Sequence, residues 1–301
     1  MPRSWLVRTD AHNHREIAGD TDLAEAVRIL ARAHQSMIWT RGRQTNNLRS
    51  TLREYYPGAL VALGDDLRAS ESLEILSIAP TPALGRQLSK AKIASALRRA
   101  GRQRRIDERT DEIQRALRAE ALEAPALISE AFGSSVAASA RVIVELNRQT
   151  NELEKAMSEH FEQHPDAKIV LSLPGLGTVL GARVLGELGD DPERYANAKS
   201  RKNYAGTSPI TRASGTKRVV LARFARNRRI ADATYLWAFA AITKSPGARA
   251  LYDRHRAAGD SHHQALRALA NRLVGIFHGC LLSQTLYDED IAWGERKTKV
   301  A

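Results

Sequence analysis

The sequence predicts a mainly α protein, and three observations carry that reading. Aromatic residues make up only 5% of the chain, Ala, Leu and Arg dominate it, and long segments repeat apolar residues at spacings of three and four. With 301 residues, 43% hydrophobic and 27% charged, the chain has enough interior for one large or two modest globular domains.

The first long helix is expected to start near "GDTD", with Asp20 to Asp22 as its cap, and to run to Tyr56 ahead of Pro57. Its apolar positions Leu23, Val27, Leu30, Met37, Leu48, Leu52 and Tyr55 follow a 4-3 alternation, with His34, Arg41 and Thr45 filling the remaining seam positions. A heptad-like seam with polar interruptions suits a helix hairpin or an oligomeric coiled coil. "SIAPTPALGRQL" then breaks the pattern, with Thr81 as N-cap and Pro82 at the first helical position of the next helix. Arg98, Arg99, Arg102, Arg104 and Arg105 form a basic cluster that a solvated helix face explains as well as nucleic acid does.

"ALISEAFGSSVAASARVIVELNRQTNELEKAMSEHF" predicts one long helix, with Ile128, Phe132, Ser139, Val142, Leu146, Leu153 and Met157 near a 4-3 period, packing back on the first. The expected organisation is a helical, partly coiled-coil region over 1–165, a compact second region over 166–293, and a flexible tail over 294–301. The second region opens with "KIVLSLPGLGTVLGARVLGELGD", a short helix, a Pro-Gly-Leu-Gly turn and a helix rich in small residues, the layout of a helix-hairpin-helix element. Gly175 and Gly177 would let the backbone approach a phosphate at the positive end of the following helix. A plain helical hairpin using glycine for tight packing is the alternative.

Farther on, Trp237 and the face Leu266, Leu269, Leu273, Ile276 and Phe277 are expected in the core. The adjacent His262 and His263 point to different sides of a helix, and His255 and His278 lack metal-ligand spacing, so no metal site is expected among them. The lone cysteine, Cys280, excludes an internal disulfide and a Cys-based zinc site and reads as a core residue. No run of 18 apolar residues and no signal-like start are present, so the sequence predicts a cytoplasmic protein with no membrane span.

Charge gives the functional lead. A formal charge of +12 and a pI near 10.1 point to a polyanionic partner, and the excess is clustered. From Arg194 through Ala231 there are eleven Lys and Arg and no acid. Inside this stretch lies Ser214-Gly215, which in isolation reads as a turn. Its neighbours Arg212, Lys217, Arg218 and Arg223 place the hydroxyl where a phosphodiester can be held and its developing charge stabilised. Arg226, Arg228 and Arg229 precede an apolar helix; phosphate contact is the preferred role, with a solvated helix start as the alternative.

The run from "PGLG" through "SRKNYAGTSPITRASGTKRVVLARFARNRRIADATYLWAFAAITKSPGARALYDRHRAAGDSHHQALRALANRLVGIFHGCL" closely resembles the C-terminal domain of DEDD-type insertion-sequence transposases, the class guided by a bridge RNA. The likeness extends upstream through "VRTDAHNHREIAGD". It implies DNA as substrate, a structured guide RNA as a further partner, homo-oligomers or hetero-oligomers with a full-length transposase, and Ser214 as the nucleophile that joins to DNA. Ser208, in "TSP", is the nearest competitor.

In that family a RuvC-like domain supplies four acids for a metal site, and the resemblance here begins only near Leu6 or Val7. The chain therefore reads as an N-terminally truncated form that carries no metal ligand or cofactor of its own, Mg²⁺ being expected only with a complete member. Asp10, Glu16, Asp20 and Asp22 read as cap and loop residues. The expected function is a transposase polypeptide, inactive alone, whose enzyme status is open; the alternatives are a non-catalytic nucleic-acid-binding regulator or a pseudogene product.

Overall fold

A computed structural model of the chain describes residues 19–121 and 124–294. Asp10, Glu16 and all but the first residue of the expected tail lie outside the described residues. The fold is mainly helical, as composition and periodicity predict. It divides into two compact units, Met1–Ala33 with Glu154–Ala301, and His34–Leu153. The division thus falls inside the two longest helices.

In the unit His34–Leu153, helix α1 (Asp22–Tyr55) contributes its second half, followed by α2 (Pro57–Leu63), α3 (Ser70–Ile78), α4 (Pro82–Gln87), α5 (Lys90–Arg99), α6 (Ile106–Arg118) and most of α7 (Ala126–Glu162). Thr81 caps α4 by accepting from the Leu84 amide at 3.3 Å, with Pro82 at the first helical position as expected. The α1 seam is buried here at Thr45, Leu48, Leu52 and Tyr55. Tyr55 stacks on Phe132 of α7 at 4.8 Å, and Arg41 donates to Asn147 at 3.1 Å, so the two helices run antiparallel in this unit.

The α7 seam differs from the expected one. Val136, Ala140 and Ile143 are buried, whereas Val142 and Ile128 are each 47% exposed. Small residues decide the register: a Cβ on Gly133 would meet Thr81 Cγ2 at 2.4 Å, so the helix approaches its neighbour through its slimmest side, which apolar counting passes over. Three arginines of the basic cluster are matched by acids: Arg99 with Glu74, Arg102 bidentate with Glu71, and Arg105 with Glu108. Counter-acids from neighbouring helix faces account for that much of the cluster.

The other unit is built around α9 (Thr178–Leu188), whose residues from Gly181 onward are all buried. It follows α8 (Ala167–Ser172) and leads to α10 (Ala198–Tyr204), a two-stranded antiparallel sheet of β1 (Ile210–Ser214) and β2 (Lys217–Leu221), then α11 (Arg228–Ala241), α12 (Pro246–Ala257), α13 (His262–Ser283) and α14 (Glu289–Trp293). The hairpin is an addition to the compact helical domain expected here within a mainly α chain. β-Branched Ile210, Thr211, Val219 and Val220 flank Ser214-Gly215, which is the signal for it.

Val27, Ala31, Met157 and Phe161 join the same core as Trp237, Leu266, Leu269, Leu273 and Phe277. Ile276 and Cys280 pack at its edge, and burial pushes the Cys280 thiol up. α13 starts with a capping box of Ser261 and Gln264. By length and composition α7 and α13 are long and apolar enough to cross a membrane, but α13 is a core helix with seven buried residues.

Candidate nucleic-acid interface

The turn between α8 and α9 is held from inside. Trp237 is fully buried and its indole N–H donates to the Pro174 carbonyl at 2.9 Å. Gly175 has φ +84°, and a Cβ there would lie 2.7 Å from the Ala241 nitrogen and 2.9 Å from the Ala240 carbonyl carbon. This glycine is thus required by close packing against α11. Gly177 differs: it is exposed, it is the N-cap of α9, and a Cβ there meets nothing within 4 Å. Of the two turn glycines, Gly177 is the one with open space beside the amides that begin α9.

A buried acid ties the surrounding segments together. Glu187 on α9 is 3% exposed and accepts from Arg32 at 2.7 and 2.9 Å and from the Asn227 amide at 2.6 Å. The hydrogen bond that Arg32 donates to Glu187 raises the Arg32 pKa above its ordinary value against the opposing effect of burial. Asn227 also caps α11, its side chain accepting from the Arg229 amide at 2.9 Å. Arg229 in turn donates to the Arg32 carbonyl at 3.0 Å. Of the three expected phosphate contacts, Arg229 is therefore half-buried with a structural bond, while Arg226 and Arg228 are exposed. The stem of Arg226 lies along Gly206, where a Cβ would come within 2.6 Å of it.

Ser214 ends β1 and is exposed. Its register partner is Lys217, with Ala213 opposite Arg218 and Arg212 opposite Val219. Gly215 takes φ +56° at the first central position of the two-residue connection, as a type II′ hairpin turn requires. Ser208 is partly buried in the segment leading into β1, where it borders a cavity.

That cavity, of about 560 Å³, lies at the base of the hairpin, bordered by Pro209 before β1 and by Ala222 and Arg223 after β2. Lys202, Arg267 and Arg272 complete a cationic lining, and its one acid, Asp260, is bonded to His255 at 2.7 Å. Arg223 keeps a buried Nε without a hydrogen-bond partner among the described residues. His262 and His263 lie elsewhere in their bonding, meeting Tyr252 at 2.7 Å and Tyr235 at 3.0 Å.

Asp20 and Asp190 are engaged in bonds of their own. Asp20 is bonded to Arg194 at 2.5 Å, Asp22 sits in the first turn of α1, and Asp190 accepts from Thr21 and His164. Among the described residues no group of three or more His, Cys, Asp or Glu converges.

Residues 167–253 match the model of the "Transposase IS116/IS110/IS902 family". The chain is 42% identical over 291 residues to the "Mini-circle putative transposase for IS117" of Streptomyces coelicolor, covering 96% of this chain and 70% of that protein. It is 30% identical over 281 residues to the "Insertion element IS900 uncharacterized 42 kDa protein" of Mycobacterium paratuberculosis, with 92% and 68% covered. A third relative, the "Insertion element IS110 uncharacterized 43.6 kDa protein" of Streptomyces coelicolor, is 28% identical over 294 residues, with 95% and 70% covered.

Proposed function

The chain belongs to the transposase IS116/IS110/IS902 family, and we propose that within it the chain is a DNA recombinase polypeptide that offers the Ser214 hydroxyl to a DNA phosphodiester. The observation that carries this reading is an exposed serine at a type II′ hairpin tip within a stretch of eleven cations and no acid. The serine Oγ–P bond forms as the P–O bond to the departing strand breaks; the serine proton is released and the displaced oxygen leaves with its strand. The phosphoserine link keeps the energy of the broken bond, so a later strand oxygen can reverse the step without ATP.

In this reading Gly177, Arg226 and Arg228 contact phosphates directly, Arg212, Lys217 and Arg218 neutralise charge around the reacting group, Arg223 holds a phosphate at the base of the hairpin, and Gly175 and Arg229 hold the surface in shape. A structured guide RNA is the second polyanion, which suits the charge of +12. Ion-holding carboxylates come from outside the described residues or from another subunit.

The test incubates the purified chain with Mg²⁺, element-end DNA and guide RNA, with and without a full-length relative whose own nucleophilic serine is changed to alanine. A serine-linked DNA adduct on this chain that disappears in Ser214→Ala supports the proposal. No adduct on this chain in either mixture, or an adduct mapped to Ser208, overturns it.

A further inference from the structure

We propose that the cavity at the base of the hairpin receives a single nucleotide turned out of its stack, and that Phe224 takes the place the base has left. This rests on the nucleic-acid reading of the hairpin. Two observations converge on it. The first is the cavity itself, whose 560 Å³ falls within the ~300–1,000 Å³ usual for small-molecule sites. Its lining suits the parts of a nucleotide. Arg223 and Arg267 have no acidic partner among the described residues and offer a phosphate charge-assisted donors. Leu251 and Pro209 supply an apolar wall for a base. Asn271, whose carbonyl oxygen accepts from Thr207 at 3.3 Å, retains its amide N–H groups for a base edge.

The second observation is Phe224, 88% exposed and adjacent in sequence to the cavity residue Arg223. An aromatic ring left this bare on a cationic surface has the character of the apolar wedges that unstack base steps. From Pro209 to Ser214 the strand rises roughly 17 Å at ~3.3 Å per residue. A nucleotide seated in the cavity therefore sits a few positions from the phosphodiester at Ser214, and fixes which phosphodiester the serine meets.

The experiment places 2-aminopurine, whose fluorescence rises on unstacking, at successive positions of element-end DNA and of the guide RNA, each bound to the full chain. At one position a severalfold rise is expected, and the strand that shows it identifies the source of the nucleotide. Ala268→Trp, which fills the cavity, should abolish the rise; Phe224→Ala should weaken binding at least fivefold and diminish it. Arg267→Gln, a change at a half-buried cation, should weaken binding of deoxyadenosine monophosphate about tenfold. Ser214→Ala should keep the full rise while losing the DNA adduct, which separates failure of the nucleophile from failure of the pocket. No rise at any position, an undiminished rise in Ala268→Trp, or unchanged deoxyadenosine monophosphate binding in Arg267→Gln overturns the proposal.

Discussion

Replacing Gly175 and Gly177 one at a time by alanine separates two roles that the motif PGLG leaves joined. At Gly175, alanine must hold φ +84°, which costs about 1–2 kcal/mol for an L residue. Its Cβ must also push back the α11 backbone from 2.7 Å at Ala241 nitrogen and 2.9 Å at Ala240 carbonyl carbon, an overpacking of about 1–3 kcal/mol. The sum is about 2–5 kcal/mol, and the unfolding midpoint should fall by roughly 5–15 °C. At Gly177, φ is −98° and the space is open, so alanine costs only the weaker N-cap preference, about 0.5–1 kcal/mol. Circular dichroism at 222 nm follows the helices, and Trp237 fluorescence follows the turn through its bond to Pro174. A Gly175→Ala chain melting with the wild type, or Gly177→Ala falling as far as Gly175→Ala, would falsify the packing account of this turn.

Other outcomes follow from the same geometry. Ser214→Ala should melt within about 1 °C of wild type, because the side chain is exposed, and a clear loss of stability would make Ser214 structural. Arg226→Ala and Arg228→Ala should each lower the slope of log affinity against log salt by about 0.9, whereas Arg229→Ala should mainly destabilise, by about 1–2 kcal/mol; equal slopes for all three would contradict the assignment. Burial pushes the Asp190 carboxyl up, but bonds from Thr21 and His164 outweigh it and hold its pKa below 3.8. A carboxylate depressed in the folded state stabilises above its unfolded pKa and loses that stability as pH falls through the folded value. Asp190→Asn should therefore flatten the stability loss below about pH 4, measured by urea unfolding, and an unchanged acid limb would count against the linkage.

Much of the helical frame was legible because its signals are local. Thr81-Pro82 caps α4, α1 and α7 begin and end within a residue or two of the expected positions, and Trp237 with the Leu266 face is in the core. The α7 seam was not, since Gly133 and Ala140 are chosen by what packs against them, and tertiary contact overrides an apolar count. The hairpin was hidden by the density of arginines, which obscured the β-branched pairs on either side of Ser214-Gly215. Glu187 escaped notice for another reason. Its partners Arg32 and Asn227 are distant in sequence, and a single acid in a small-residue helix carries no motif.

The division inside α1 and α7 has a bearing on synthesis. Every residue of the core within 34–153 is synthesised before Glu154, whereas Val27 and Ala31 find their partners Met157 and Phe161 only afterwards. At ~5–20 residues per second, that delay of about 120 residues lasts roughly 6–24 s. During it the first turns of α1 stay uncovered, so the nascent chain is open there to chaperone capture, or to mispairing with a neighbouring polypeptide.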